Sequence, residues 1–352
     1  MTKRSLTRPD LAALPNYVPG RSVPGAIKLA SNEVPYGPLP GVAEAVAEAV
    51  TNVHRYPDMG VGALRDKFAK RLGVPAERVV TGCGSVALAE HLVRATCLPG
   101  DELVYAWRSF EAYPIIAATT GATSVKVPNT AVHGHDLDAM AAAITDRTRL
   151  ILVCNPNNPT GTSVRRDEID AFLAKVPEDV LVVLDEAYKE FVTDPNVPDG
   201  VEVYGDRPNV AVLRTLSKAW GLAGLRIGYL VAQPEVADAV RKVVTPFSTS
   251  LPAQAAALAA LDAEDEMRRR CDLVIAERAR VAKALHEHLP SVPESQANFV
   301  WLPLGDQAAA FAQVCEAEGV IVRPFAGDGV RVTIGTAEEN DALLRAAEKY
   351  FG

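Results

Sequence analysis

Between Arg78 and Leu230, seven short runs rich in β-branched and aliphatic residues recur, each divided from the next by a longer stretch of helical character. They are Val79–Thr81, Glu102–Tyr105, Ser124–Val127, Leu150–Cys154, Val180–Leu184, Val210–Leu213 and Ile227–Leu230. Short strands separated by helices predict a mostly parallel sheet with helices covering both faces. Leu181-Val182-Val183-Leu184 lacks any polar alternation, as a central strand buried on both sides requires. The class is α/β.

The character changes after Pro246 and Pro252. Residues 253–289 are Ala-rich, charged and nearly free of Gly, which reads as long helices. Phe299–Leu302, Val320–Val322 and Val330–Thr333 then read as strands, and Glu338–Tyr350 as a last helix. Strands grouped apart from helices predict a smaller α+β domain over 247–352, beside a large α/β domain over 41–246. Residues 1–40, rich in Pro and Gly and without a strong period, read as an arm that packs on the small domain or on a partner subunit. The length of 352 residues suits about two domains at ~150 residues each. A chain of this size buries roughly three quarters of its unfolded surface, so its core needs no metal or disulfide staple.

Composition narrows the partners. With 36 Lys plus Arg against 44 Asp plus Glu, the net charge is −8 and no basic block stands out, so nucleic acid and anionic lipid are poor partners. Five widely spaced cysteines without a Cys-x-x-Cys fit buried thiols in a reducing compartment. No secretory h-region and no apolar run long enough to span a bilayer is present. The expected location is therefore the cytoplasm. The pairs His133/His135 and His286/His288 have a spacing that on a helix points the rings apart, so no metal site is expected. Arg268-Arg269-Arg270 follows Glu264, Asp265 and Glu266 and reads as an exposed helix face with local ion pairs.

Four segments carry candidate chemistry. Gly82-Cys83-Gly84-Ser85 lies between a strand and an apolar helical stretch; such a turn brings backbone N–H groups and a helix dipole towards an anion, although alone it reads as a tight turn. Asn155-Pro156-Asn157-Asn158-Pro159-Thr160-Gly161 is an ordinary loop by composition. It follows a parallel strand directly, however, where α/β sheets place ligands. Asp185 ends the buried run, a costly place for a carboxylate unless it meets a cation or a protonated heterocycle. Tyr188 follows three residues later. Ser217, Lys218 and Arg226 then bring a hydroxyl, an amine and a guanidinium into a Gly-rich, apolar segment. Small residues around one lysine leave room for something bulky to reach its amine.

Together these motifs resemble the fold-type I, pyridoxal-phosphate-dependent aminotransferases: Asn-Pro-Thr-Gly, then Asp-Glu-Ala-Tyr, then Ser-Lys-x-x-Gly-x-x-Gly-x-Arg. The resemblance runs from Ser31-Asn32-Glu33 to Arg331-Val332-Thr333-Ile334-Gly335. Arg55-Tyr56-Pro57-Asp58, Gln296-Ala297-Asn298-Phe299 and Glu338-Glu339-Asn340-Asp341 are similar to the histidinol-phosphate aminotransferase branch. Gly82–Val86 and Trp107–Glu111 resemble the actinobacterial aromatic amino acid aminotransferases within it. The resemblance implies that Lys218 holds pyridoxal 5'-phosphate as a Schiff base and shuttles a proton, while Asp185 pairs with the pyridine nitrogen. Tyr188 and Asn158 would bond the ring's phenolic oxygen, and Phe110 would stack on the ring. Ser217, Arg226 and the backbone at Ser85 and Val86 would hold the phosphate, with Tyr56 reaching in from the other subunit of a homodimer. Arg331 would clamp a substrate carboxylate, with Asn32 and Arg323 also on the substrate side.

The implied reaction is ping-pong amino transfer between an aromatic amino acid and 2-oxoglutarate. The alternative is histidinol-phosphate amino transfer; a decarboxylase resembling threonine-phosphate decarboxylase is a second enzyme class. A transcription regulator built on the fold would need a DNA-binding domain, for which this chain has no spare residues. Val86-Ala87, where many histidinol-phosphate enzymes carry acidic residues, and the short interval from Arg323 to Arg331 favour the aromatic reading. Tyr17, Tyr36, Trp107, Phe110 and Tyr113 are expected to wall an apolar slot for the substrate ring.

Overall fold

A computed structural model describes residues 6–8, 11, 14 and 20–352. Its strands, in chain order, are β1 (Ile27–Lys28), β2 (Val79–Gly82), β3 (Glu102–Trp107), β4 (Thr123–Pro128), β5 (Thr148–Cys154), β6 (Leu181–Asp185), β7 (Val210–Thr215), β8 (Gly228–Val231), β9 (Phe299–Leu302), β10 (Val320–Ile321), β11 (Arg323–Phe325) and β12 (Gly329–Thr333). Strands β2 to β8 form one sheet in the order β2-β8-β7-β6-β5-β3-β4. All of its pairings are parallel except the two made by β8. The α/β expectation holds.

Alternation along the central strands explains the two-sided core. Val182 and Leu184 enter one hydrophobic cluster with Val104, Ile151 and Val212. Leu181 and Val183 enter the other with Leu103, Leu152 and Leu213. Successive side chains point to opposite faces, so a run that is apolar at every position is buried on both.

The C-terminal part contains the expected long helices, Leu251–Asp262 and Glu264–His288, and a three-stranded antiparallel sheet β11-β12-β9. Arg268, Arg269 and Arg270 pair with Glu264 and Glu266 along the helix surface, as read. The run Val320–Val322 behaves differently from a single strand. Its first two residues form β10, which pairs parallel with β1, while β11 begins at Arg323 and pairs with β12. Strand β1 is only two residues long, too short for periodicity to announce it. The chain continues with Leu29 bonded to Ile321 on one side and to Thr333 on the other, which brings residues 29–32 against the C-terminal strands. The five cysteines carry free thiols, four of them buried. Among the described residues, no helix is long and apolar enough to cross a membrane.

Candidate active site

Strands β2, β3, β5, β6 and β7 run in one direction, so their carboxyl ends open on the same edge of the sheet, where ligands of such sheets bind. Each supplies a side chain or a backbone turn. Strand β6 ends in Asp185, and β5 leads into the Asn155–Gly161 loop. Strand β3 leads to Ser109 and Phe110, β7 to Ser217 and Lys218, and β2 to the start of helix Gly84–Thr96. Residues 30–32 and strands β11 and β12 close the opposite side. The enclosed cavity has a volume of about 290 Å³. Asn32, Ser85, Val86, Phe110, Asn158, Asp185, Tyr188, Ser217, Lys218, Arg226, Arg323 and Arg331 all line it.

Asp185 is 4% exposed. Its Oδ2 accepts a 2.7 Å hydrogen bond from the Tyr113 hydroxyl, whereas Oδ1 has no hydrogen-bond partner among the described residues. Burial raises the carboxyl from its ordinary 3.8 to about 6, against the opposing bonds from Tyr113 and the Ala187 backbone. Across the cavity, the Lys218 amine donates to the Ser31 carbonyl at 3.1 Å. Burial, and next the Arg331 charge, lower it to about 8. Low dielectric disfavours the charged form of each group, so both move towards neutrality.

The anion end is built from backbone as much as from side chains. Gly84 has φ +80° and packs so tightly that a Cβ there would collide with the Arg226 guanidinium. A Cβ on Gly228 would come within 2.6 Å of the Ser85 amide. These glycines leave the first N–H groups of helix Gly84–Thr96 open beside Arg226, whose Nη1 donates to Ser217 Oγ at 3.1 Å. Amides, helix dipole and guanidinium together form a cradle for a phosphate-sized anion.

On the substrate side, Tyr188 accepts a 2.9 Å bond from Asn32 Nδ2. Burial raises its hydroxyl well above the ordinary range, against the lowering charge of Arg331. Asn32 itself has φ +58°, a conformation Asn tolerates better than most residues. Its Oδ1 accepts from Thr333, and its backbone carbonyl from Asn298. Arg331 donates to Asn158 Oδ1 at 2.6 Å and to the Ala30 carbonyl at 2.8 Å.

The aromatic slot needs correction. Of its expected members among the described residues, Phe110 lines the cavity, whereas Tyr36, Trp107 and Tyr113 do not. Tyr113 is fully buried and spends its hydroxyl on Asp185, with its ring edge-on to Phe110 at 5.6 Å. Trp107 packs edge-on to Tyr105, with Lys126 and Arg108 over its ring. Tyr36 packs against the core near Arg270, and Tyr17 lies outside the described residues. Phe325 of β11 lines the cavity instead; sequence reading missed it because a three-residue strand has no period to mark its inward face. Tyr56 is also outside the cavity of its own chain. It is 81% exposed and stacked on Phe247 at 4.5 Å.

A lysine delivered by the segment joining β7 to the one antiparallel strand of the large sheet thus shares one cavity with a carboxylate at the end of β6. The chain belongs to the class I and II aminotransferase family, whose model matches residues 24–346, and it is a transaminase. An aromatic amino acid aminotransferase of Streptomyces avermitilis is 58% identical over 347 residues, covering 97% of each chain. Another, of Rhodococcus jostii, is 57% identical over 347 residues, covering 99% of this chain and 96% of its own. Among solved structures, a histidinol-phosphate aminotransferase of Sinorhizobium meliloti in complex with pyridoxal 5'-phosphate matches with a TM-score of 0.88 at 28% identity, covering 99% of this chain and 98% of that one.

Proposed function

We propose that the enzyme uses pyridoxal 5'-phosphate to transfer an amino group between an aromatic amino acid and 2-oxoglutarate. The observation that carries the cofactor is the buried Asp185 Oδ1, without a hydrogen-bond partner among the described residues, in a cavity that also holds Lys218 and the anion cradle. A ring N–H, an aldehyde and a phosphate fit these three features in turn. When bound, the cofactor supplies an electron sink for the carbanion formed at the substrate α-carbon.

The chain's own residues do the rest. Asp185 Oδ1 accepts the ring N–H and holds that proton in place, with Tyr113 fixing the carboxylate. Ser85, Val86, Ser217 and Arg226 bind the phosphate, and Phe110 covers one ring face. Tyr188 and Asn158 orient the phenolic oxygen. Lys218 Nζ takes up and returns the α-proton. Arg331 binds the substrate carboxylate in a fork, while Asn32 positions Tyr188 and Arg323 stands at the rim. In this reading, residues 41–246 are the cofactor domain. The 1–40 arm and 247–352 bring the substrate groups to it, in a cytoplasmic homodimer acting on small molecules.

Support for the aromatic donor comes from relatives at 57–58% identity bearing that name, and from Phe110 and Phe325 in the cavity lining. The test is a panel of donors with 2-oxoglutarate in one buffer. Phe, Tyr or Trp should exceed histidinol phosphate in kcat/KM by at least about tenfold, or ~1.4 kcal/mol in the barrier. The reverse ranking would transfer the chain to the histidinol-phosphate reading.

The exposed Tyr56 is assigned to the phosphate of the neighbouring subunit. Tyr56→Phe should weaken cofactor retention by about one charge-assisted hydrogen bond, ~1.5–3 kcal/mol, measured by dialysis against cofactor-free buffer. Sedimentation that finds a fully active monomer refutes the shared site.

A further inference from the structure

The rim of this cavity carries charges that the proposed reaction leaves unused. Strands β11 and β12 pair antiparallel with Arg323 directly opposite Arg331, so two guanidinium side chains leave the same face of the small sheet. They are held differently. Arg331 donates to the neutral acceptors Asn158 and Ala30. Arg323 Nη2 meets a carboxylate, Glu111 Oε2, at 2.9 Å. The two side chains are 12% and 30% exposed, so the pair is partly withdrawn from solvent.

Glu111 follows Phe110 in the chain, and both line the cavity with Arg323 and Phe325. The Arg323 guanidinium lies 5.3 Å from the centre of the Phe325 ring. A second ion pair adjoins, in which Arg108 Nε donates to Asp328 Oδ2 at 2.8 Å. The Arg108 guanidinium also comes within 4.0 Å of Glu111 and 5.7 Å of the Phe325 ring centre. Two of the cations around this aromatic wall are thus paired with two anions, while Arg331, 5.8 Å from the same ring centre, is assigned to the substrate carboxylate.

We propose that Glu111 is a specificity-determining residue. Its ion pair with Arg323 cancels the rim cation that a phosphate monoester donor requires, leaving Phe110 and Phe325 to meet an uncharged ring. The proposal rests on the aromatic-donor reading above. A dianionic phosphate reaching the rim must displace Glu111 from Arg323 and then lie beside the displaced carboxylate. A phenyl or indole ring needs no such exchange. Discrimination of this kind arises from the mismatch offered to the wrong ligand as much as from contacts to the right one, and it is strongest where water screens the charges least.

The experiment measures kcat/KM for phenylalanine and for histidinol phosphate, with 2-oxoglutarate as acceptor, in wild type, Glu111→Gln and Glu111→Gln/Arg323→Gln holoenzymes. Both donors are assayed on one preparation, so their ratio is independent of the fraction of folded enzyme. Glu111→Gln should shift that ratio towards histidinol phosphate by at least tenfold, about 1.4 kcal/mol, mainly through a lower KM for histidinol phosphate. Adding Arg323→Gln should abolish the shift. A ratio unchanged by Glu111→Gln, or a shift that survives loss of Arg323, overturns the role of Glu111 while leaving the aromatic reading intact. A wild-type preference for histidinol phosphate overturns the aromatic reading itself, before any variant is compared.

Discussion

Lys218→Ala should lower amino transfer by at least ~10³-fold, within the range for deleting a positioned proton-transfer group, and should also abolish borohydride-fixable cofactor. The expectation rests on placement. The amine is buried in the cavity, donates to the Ser31 carbonyl, and is lowered to about 8 by burial and then by Arg331. A neutral amine is the nucleophilic form, and the lowered pKa makes a substantial fraction neutral near pH 8. Cofactor uptake by the cofactor-free protein should therefore rise as pH passes through about 8, rather than through the 10.5 of an ordinary lysine. Stopped-flow absorbance against pH measures it. Borohydride trapping on any other lysine would remove Lys218 from its assigned role.

Asp185→Asn should separate stability from activity. In the cofactor-free protein, burial raises the carboxyl from 3.8 to about 6, so the folded state holds this proton more tightly than the unfolded chain does. The contribution of Asp185 to stability then falls as pH rises from about 4 to about 6, and stays low above that. Removing the charge should stabilise the cofactor-free protein at pH 7 by up to ~3 kcal/mol, the linkage value of two pKa units, with the gain vanishing below about pH 4. Tyr113 keeps an acceptor in the amide oxygen, so the variant leaves no buried hydroxyl without a partner. Activity should move the other way, by about 10²–10³-fold, as for other preorganised charges in a closed site. Thermal melts of both proteins at pH 4 and pH 7, with turnover measured in parallel, give the two signs. A variant less stable at pH 7 would show that the buried charge is not the dominant cost.

The two groups behind these predictions were readable because their contexts are local. Asp185 ends a strand that is apolar at every position, and Lys218 sits in a short Gly-rich segment, so a few neighbouring residues announce each of them. The large sheet was legible for the same reason. Burial on both faces demands uninterrupted apolar runs in the central strands, while the edge run Ser124–Val127 alternates with polar residues and is only partly buried; all seven runs became strands β2 to β8. The glycine turn before Ser85 was visible as well, although only the packing of Gly84 against Arg226 makes it a cradle.

Partners far apart in the chain were not readable from such patterns. Asn32 meets Thr333 across 301 positions, and Arg323 meets Glu111 across 212. Tyr113 looked like one more aromatic for a substrate slot, yet its ring is buried and its hydroxyl holds Asp185. Phe325 took a place at the slot from a strand of three residues. By itself the amino-acid sequence determined which residues must leave water and which segments bear the reactive groups, because burial and period are properties of neighbours along the chain. Which group faces which was decided only by tertiary structure, because strand register and sheet closure bring distant side chains to within a hydrogen bond of one another.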